Sequence, residues 1–225
     1  MNTSGAAYDA SLASASYSPA VSVLSRPASQ IRVHRVTDPH LVRAVRRAGT
    51  PLKRIVDIAV ASVGAIFLVP VLIPLAIAIF LGSDGPVLVG NERAGRYAQP
   101  FRSWRFRTTN IETGEFTLIG RLLSAAGIDG LPQLINVLRG EMSLVGPQPL
   151  PKDELDNGYG KQRCYYLLLR PGLTGLWSLT ETGENFGRRI ALDRKYIREW
   201  SFFGDLMILL KAAIASATGL RMEPR

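Results

Sequence analysis

Between Ser83 and Gly175 the sequence gathers arginines, a few carboxylates and turns rich in Gly and Pro, the residue types that phosphate chemistry requires. Arginine forks bind phosphate oxygens in pairs, and moving a phosphoryl group demands mainly positioning and neutralisation of spread negative charge. The most distinctive stretch is I128-D-G-L-P-Q-L-I-N-V-L-R-G-E-M-S-L-V-G-P-Q-P149. Asp129, near its start, admits two readings. As the N-cap of the helix that follows, it satisfies orphan backbone donors. As an ionised carboxylate at a helix N-terminus among arginines, it is a candidate nucleophile or metal ligand. Arg139 and Glu141 read as surface residues at a helix end, and Gly146-Pro147-Gln148-Pro149 as a rigid turn. The sequence has no Walker loop, no G-x-G-x-x-G after a strand, no G-x-S-x-G elbow and no H-E-x-x-H, which argues against nucleotide-driven motor chemistry and zinc hydrolysis.

The elements that must position these residues follow from pattern. Strands are expected over 86–89 and 101–108, a short helix over 119–123, and an apolar helix over 131–138 introduced by Asp129 and Pro132. Residues 170–179 read as a Gly and Pro punctuated loop with a possible strand. From Ile190 to Ile214 apolar residues recur at helical spacing in two segments, with Trp200, Phe202 and Phe203 at the junction. That aromatic cluster suits either a membrane interface or an ordinary core.

Ahead of this region, Ile58 to Leu81 holds 24 residues without a charge, roughly 36 Å as one straight helix. Pro70 and Pro74 fall inside it, so a kink into two short halves is expected. Arg43, Arg46, Arg47, Lys53 and Arg54 precede the run, and Arg93, Arg96, Arg102, Arg105 and Arg107 follow it. Positive charge on both sides favours a re-entrant hairpin with both ends cytoplasmic. A single spanning helix and a buried core helix are the alternatives. The first residues are rich in Ala and Ser with no sustained apolar period, so 1–42 reads as a disordered arm, 43–82 as a basic segment with the membrane helix, and 83–225 as a cytoplasmic domain.

With 225 residues, 47% of them hydrophobic, the chain has enough apolar content for one core. The formal charge of +9 suits anionic lipid, phosphorylated substrates or nucleic acid equally well. The apolar run, and the lack of a helix-turn-helix or an aromatic RNA platform, set nucleic acid aside. A single Cys164 allows no internal disulfide, and His34 and His40 both lie in the N-terminal arm, so no structural zinc set exists. The overall expectation is an α+β fold: a membrane-embedded helix followed by a small mixed domain with interfacial amphipathic helices.

The ordered blocks together resemble a known family. They are Lys53-Arg54 with Asp57, S83-D-G-P-V-L, R93-A-G-R, R105-F-R-T108, I119-G-R121, D129-G-L-P-Q-L-I-N-V-L-R-G-E-M-S-L-V-G-P147, R170-P-G-L-T-G-L-W177, L192-D-R-K-Y196 and W200-S-F-F-G-D205. The chain looks like the bacterial sugar transferases, monotopic phosphoglycosyl transferases of the short, exopolysaccharide-initiating type. That resemblance implies transfer of a sugar-1-phosphate from a nucleotide sugar, usually a UDP-sugar, to polyprenyl (undecaprenyl) phosphate. It also implies a Mg²⁺ requirement and a site on the cytoplasmic face of the bacterial inner membrane. In the family an Asp attacks the sugar-linked phosphate and a neighbouring Glu helps to hold the metal. The Asp matches Asp129, and Arg105, Arg107, Arg121 and Arg170 are candidate phosphate contacts. The Glu position is Gly130, and two family arginines are matched by Ser124 and Gln148. Each lost preorganised interaction costs a few kcal/mol, or roughly 10²-fold in rate. The resemblance therefore implies either a slowed transferase, with Glu141 or Asp193 as substitute metal ligands, or a relative that binds lipid or a partner and modulates polysaccharide synthesis.

Overall fold

The computed structural model describes residues 49–82, 84–180 and 185–218. The arm over 1–42 and the basic residues Arg43 to Arg47 lie outside them.

The first element, α1 (Pro51–Gly82), spans 32 residues. Its start follows from Thr50, whose hydroxyl accepts from the Lys53 amide at 3.3 Å, and from Pro51 at the first helical position, where a missing N–H costs nothing. Contrary to the expected break into two halves, the helix runs uninterrupted through Pro70 and Pro74. Both prolines are exposed and lie one turn apart on one side of the helix.

Two antiparallel strands follow, β1 (Leu88–Ala94) and β2 (Pro100–Phe106), with Leu88 opposite Phe106 and Ala94 opposite Pro100. The sequence expectation starts the first strand two residues early and ends it five early, and starts the second one residue late and ends it two late. The turn between them holds Tyr97 and Ala98 at φ of 58° and 61°. Two successive left-handed residues match the twist of a hairpin, at a cost of about 1–2 kcal/mol each outside Gly.

Helix α2 (Leu118–Ala126) is capped by Thr117, which accepts from the Gly120 amide at 2.9 Å. A 3₁₀ turn, Leu131–Gln133, leads into α3 (Leu134–Arg139). Here the N-cap reading of Asp129 fails, because the turn begins after Gly130 with no side-chain cap. Helix α3 ends at Gly140, whose φ of 87° is a left-handed cap.

Strands β3 (Ser143–Val145) and β4 (Gly172–Thr174) pair in parallel. A Cβ at Gly146 would lie 2.4 Å from the Arg170 carbonyl, so only glycine lets these two backbones approach. Between them come α4 (Lys152–Tyr159) and α5 (Arg163–Leu167), and after them α6 (Phe186–Glu199) and α7 (Phe202–Thr218). The architecture is α+β, mostly helical with two small strand pairs.

One core cluster joins Ala61 of α1 to Val137, Met142, Leu144, Val145, Ile197 and Ile208. Another packs Leu150, Leu155, Tyr159 and Tyr166 with Ile190. A third sets Ile79 of α1 with Phe106 and Leu123. Helix α1 therefore touches the domain near both ends. At its start Lys53 Nζ lies 2.6 Å from Asp205 Oδ2, Arg54 donates to the Val137 carbonyl at 2.7 Å, and Asp57 accepts from the Ser143 hydroxyl at 2.6 Å. Near its end the Ile79 carbonyl accepts from Arg107 at 3.3 Å.

Among the described residues α1 is the one helix long and apolar enough to cross a membrane, and only 6% of its most apolar window is buried. The buried core helix is thereby overturned, since a core helix hides its apolar face. The aromatic junction divides. Trp200 donates to Asp205 at 3.0 Å, while Phe203 is 75% exposed.

Lys53 sits in the interior between Asp57 at 3.6 Å and Asp205 at 2.6 Å. Replacing Lys53 with Met leaves two buried carboxylates uncompensated, so Lys53→Met should lower stability by about 3–5 kcal/mol. Thermal unfolding of the purified protein in detergent should show a drop of many degrees, and a melting temperature within two degrees of wild type would refute the role given to this lysine.

Candidate active site

The site is built along the free edge of β2. One edge of that strand pairs with β1; the other meets the segment from Asp129 to Asn136. The Phe106 amide donates to the Asp129 carbonyl at 2.9 Å. The Trp104 amide donates to Asn136 Oδ1 at 3.1 Å, and Asn136 Nδ2 donates to the Arg102 carbonyl at 2.7 Å. A backbone carbonyl and one amide side chain thus take the place of a third strand and satisfy groups that an exposed edge would leave open.

This arrangement presents the Asp129 carboxylate beside Arg105, with Nη1 of the arginine 3.2 Å from Oδ2. The Arg105 side chain is 39% exposed and that of Asp129 18%. No other hydrogen bond engages the Arg105 guanidinium among the described residues, which leaves donors for an incoming phosphate. Such a pair can hold a carboxylate ionised and place a phosphorus atom against it.

The other candidate arginines separate. Arg107 is buried at 3% exposure, its guanidinium donating to the carbonyls of Asp84 and Ile79. It fastens the end of α1 to the loop after it. Arg121 is exposed on α2. Arg170 donates to the Gly140 carbonyl at 2.8 Å and lines a small recess with Lys53, Arg54 and Arg96. Burial, then the neighbouring Arg96 and Arg54 charges, pull its pKa below the usual guanidinium value. The structure therefore joins Arg170 to the basic start of α1 rather than to Asp129.

The three metal candidates are likewise not brought together, and the described residues include no group of three His, Cys, Asp or Glu side chains able to hold an ion. Glu141 accepts from Asn136 Nδ2 at 2.6 Å. Asp193 is buried among α4, α5 and α6 and accepts from the Tyr159 hydroxyl at 2.9 Å. Beside Asp129, Gly130 offers no side chain, and Asp129 itself already engages Arg105. These residues do not fit a Mg²⁺ held by the protein alone, because a hard cation of that size binds through one or two free carboxylates with substrate oxygens and water. Ser124 is exposed on α2 and Gln148 half-buried after Pro147.

Comparison with known proteins agrees with the motif blocks. The model of the bacterial sugar transferase family matches residues 48–219. The chain belongs to the bacterial sugar transferase family. It is 33% identical over 202 residues to the exopolysaccharide production protein ExoY of Rhizobium meliloti, covering 77% of this chain and 88% of that protein. It is 40% identical over 180 residues to the UDP-glucose:undecaprenyl-phosphate glucose-1-phosphate transferase of Caulobacter vibrioides, covering 71% of this chain and 67% of that one. It is 31% identical to the undecaprenyl-phosphate galactose phosphotransferase of Salmonella typhimurium, where 75% of this chain matches 41% of the longer relative.

Sequence reasoning about this bacterial sugar transferase missed Asn136. The available signal was a lone amide inside the apolar run L134-I-N-V-L138, since a polar group in a buried helix face is there to bond something. Asn136 is fully buried.

Asp193 carries a pH dependence. Burial pushes its carboxyl from the ordinary 3.8 up to about 7, against the opposing effects of the Tyr159 hydrogen bond and Arg189. A raised acid favours the folded state fully below pH 3.8, and that contribution is lost as pH rises through about 7. Unfolding measured between pH 5 and pH 8 should therefore show Asp193 lowering stability as pH rises, and Asp193→Asn should flatten that slope. An unchanged slope in the variant would mean that Asp193 titrates at its ordinary value.

Proposed function

We propose that this bacterial sugar transferase moves a sugar-1-phosphate from a UDP-sugar to undecaprenyl phosphate, with Asp129 as nucleophile, and so initiates exopolysaccharide synthesis. The observation that carries the reading is the Asp129–Arg105 pair at 3.2 Å, standing where the family resemblance places the attacking carboxylate. An Asp129 oxygen attacks the phosphorus that bears the sugar, forming an aspartyl–phosphate bond as the bridging P–O bond breaks and UMP leaves. A phosphate oxygen of the lipid then attacks the same phosphorus, releasing the Asp129 carboxylate and leaving the sugar on a lipid diphosphate. Arg105 neutralises charge on the transferred phosphoryl group in both steps. Relatives named as glucose-1-phosphate and galactose phosphotransferases support the substrate class. Mg²⁺, where the reaction uses it, would enter with the diphosphate and neutralise its charge.

We place the protein on the cytoplasmic face of the inner membrane, with both ends of α1 on that side. Contacts from Lys53 to Ile79 tie the helix to the same folded unit over roughly 39 Å at about 1.5 Å per residue. A helix crossing the bilayer cannot keep both ends on one cytoplasmic unit. The outer residues Ile66, Phe67, Phe80 and Leu81 of α1, Leu118 of α2 and Phe203 and Leu206 of α7 are exposed and apolar, which suits lipid. With Cys164 changed to Ser, single cysteines at Gly49 and Glu112 should react with an impermeant label only in inverted vesicles. Labelling of either one from the periplasmic side would exclude the one-sided topology.

A second reading, a binding relative that modulates synthesis, is favoured by one feature, the missing side chain at Gly130. A Cβ there would meet Gln133 Nε2 at 3.4 Å, an ordinary contact, and φ is −83°. The backbone therefore accepts a glutamate. UMP release from UDP-glucose and undecaprenyl phosphate should be slow in the wild type, rise by at least tenfold in Gly130→Glu with Mg²⁺ present, and vanish in Asp129→Asn in either background. Transfer that survives Asp129→Asn would end the covalent mechanism. No UMP release from wild type or Gly130→Glu would leave the binding relative standing.

A further inference from the structure

The recess at the start of α1 gathers positive charge that the described residues leave unpaired. Arg54, Arg96 and Arg170 line it together with Lys53 and Asp57. Asp57, its one carboxylate, already accepts from the Ser143 hydroxyl at 2.6 Å, and Lys53 lies between Asp57 and Asp205. The three guanidinium groups are held by backbone carbonyls instead: Arg54 donates to Val137 and Leu138, Arg96 through Nε to Leu168, and Arg170 through Nε to Gly140. The Arg96 guanidinium also lies 4.5 Å from the centre of the Tyr97 ring. Among the described residues no carboxylate pairs with any of the three, and no acceptor meets the Nη groups of Arg96 and Arg170. These groups are fixed in place with donors to spare, which is the preparation that binding an anion needs. Their mutual repulsion shows at Arg170, whose pKa is lowered by burial and then by Arg96 and Arg54.

Size and depth narrow the anion. The recess is a cavity of about 20 Å³, room for one or two water-sized groups and far below the roughly 300 Å³ or more of a site for a sugar or nucleoside. It admits the oxygens of an anionic group whose remainder stays outside. Arg54 precedes the uncharged run from Ile58 to Leu81 by four residues, about 6 Å of helix at about 1.5 Å per residue. The polar layer that borders the hydrocarbon is about 5–7 Å deep on each side of a bilayer. With the apolar run in the hydrocarbon, the recess therefore stands at the level of lipid headgroups. Exposed apolar side chains accompany it: Leu52 and Ile55 on α1, and on α7 Phe203 and Leu206, which stand on either side of Asp205 in sequence. The exposed Tyr97 at its rim is of a residue type that favours the same layer.

We propose that this recess binds the phosphate of an anionic phospholipid, with Arg54, Arg96 and Arg170 donating to the phosphate oxygens and the acyl chains lying along the exposed face of α1. Neither Asp129 nor Arg105 lines it, so the bound phosphate belongs to the membrane attachment and is not the one that reacts. One phosphodiester charge set against three guanidinium groups leaves this end of the domain positive. The proposal rests on the membrane placement of α1 and not on the transfer reaction.

The test is thermal unfolding of the full-length protein in micelles of an uncharged detergent, doped with phosphatidylglycerol or phosphatidylcholine or supplied with inorganic phosphate. Phosphatidylglycerol should raise the melting temperature saturably, at a mole fraction about tenfold lower than phosphatidylcholine requires, and inorganic phosphate at the same concentration should do little. Arg96→Gln keeps a donor for the Leu168 carbonyl, and Arg170→Gln keeps one for Gly140, so the fold is retained. Each should need about tenfold more phosphatidylglycerol for the same rise. Arg198→Gln removes the same charge from an exposed position outside the recess and should respond as wild type does. Equal effects of the two lipids would overturn the site, as would equal losses in all three variants, the mark of diffuse charge. Inorganic phosphate as effective as the lipid would overturn the phospholipid and assign the recess to free phosphate. Periplasmic labelling of a cysteine at Gly49 would instead overturn the membrane placement beneath the proposal.

Discussion

The fold depends on one ammonium group out of water. Lys53 Nζ stands between Asp57 and Asp205, and each of those carboxylates holds something else. Asp57 accepts from Ser143, which begins β3. Asp205 accepts from Tyr196 of α6 at 2.9 Å and from Trp200 at 3.0 Å. One cation therefore fixes the start of α1, the first strand of the parallel pair and the junction of α6 with α7. Burying it costs several kcal/mol of desolvation, which is recovered only because two carboxylates and their own donors surround it. Desolvation by burial, then the Asp205 carboxylate, push the Tyr196 hydroxyl well above its ordinary value, so it stays a donor. Without this knot the apolar helix has little to hold it, since so few of its residues are buried.

The second organising constraint is the edge of a two-stranded hairpin. A ribbon of two strands is marginal alone and exposes one row of backbone groups. The chain resolves this with Asp129 and Asn136, which are seven positions apart and lie on either side of the 3₁₀ turn that starts α3. Because the structural task falls to the Asp129 carbonyl, its carboxylate is free to face Arg105. In the same way the Asn136 amide, needed for the edge, also orients Glu141. Site geometry and edge protection are one set of hydrogen bonds.

Much of this was legible in residue order. The apolar run, the paired segments after Ile190, the α+β mixture and the Asp129 block are local signals of period, capping and composition. What could not be read was tertiary. Nothing in R105-F-R107 says that the first arginine faces Asp129 and the second is swallowed by the Asp84 and Ile79 carbonyls. Strand alternation offers no help, since residues two apart share a face, and the difference arises because α1 ends above Arg107. The surroundings of Asp193 were equally hidden, its partner Tyr159 on α4 being remote in sequence. The uninterrupted α1 is the reverse case, in which the helix continues through two exposed prolines where the local rule expects a break.

The electrostatics of the site turn on Gly130. A carboxylate next to Asp129 would recruit a cation, and without one the two like charges would repel each other. With glycine there, the side chain that meets the Asp129 carboxylate is Arg105, and under the proposed function the negative charge of an arriving diphosphate is met by guanidinium groups. The structure shows where those are: Arg105 at the carboxylate, and Arg54, Arg96 and Arg170 in the recess at the start of α1. The latter three donate to the backbone carbonyls of Val137, Leu168 and Gly140 respectively. Carbonyl dipoles hold guanidinium groups in place without cancelling their charge, so that end of the domain keeps a positive field. Arg96 joins this recess from the hairpin turn, at the residue before the left-handed Tyr97 and Ala98, so arginines far apart in sequence share one field that a string of basic residues gives no reason to expect.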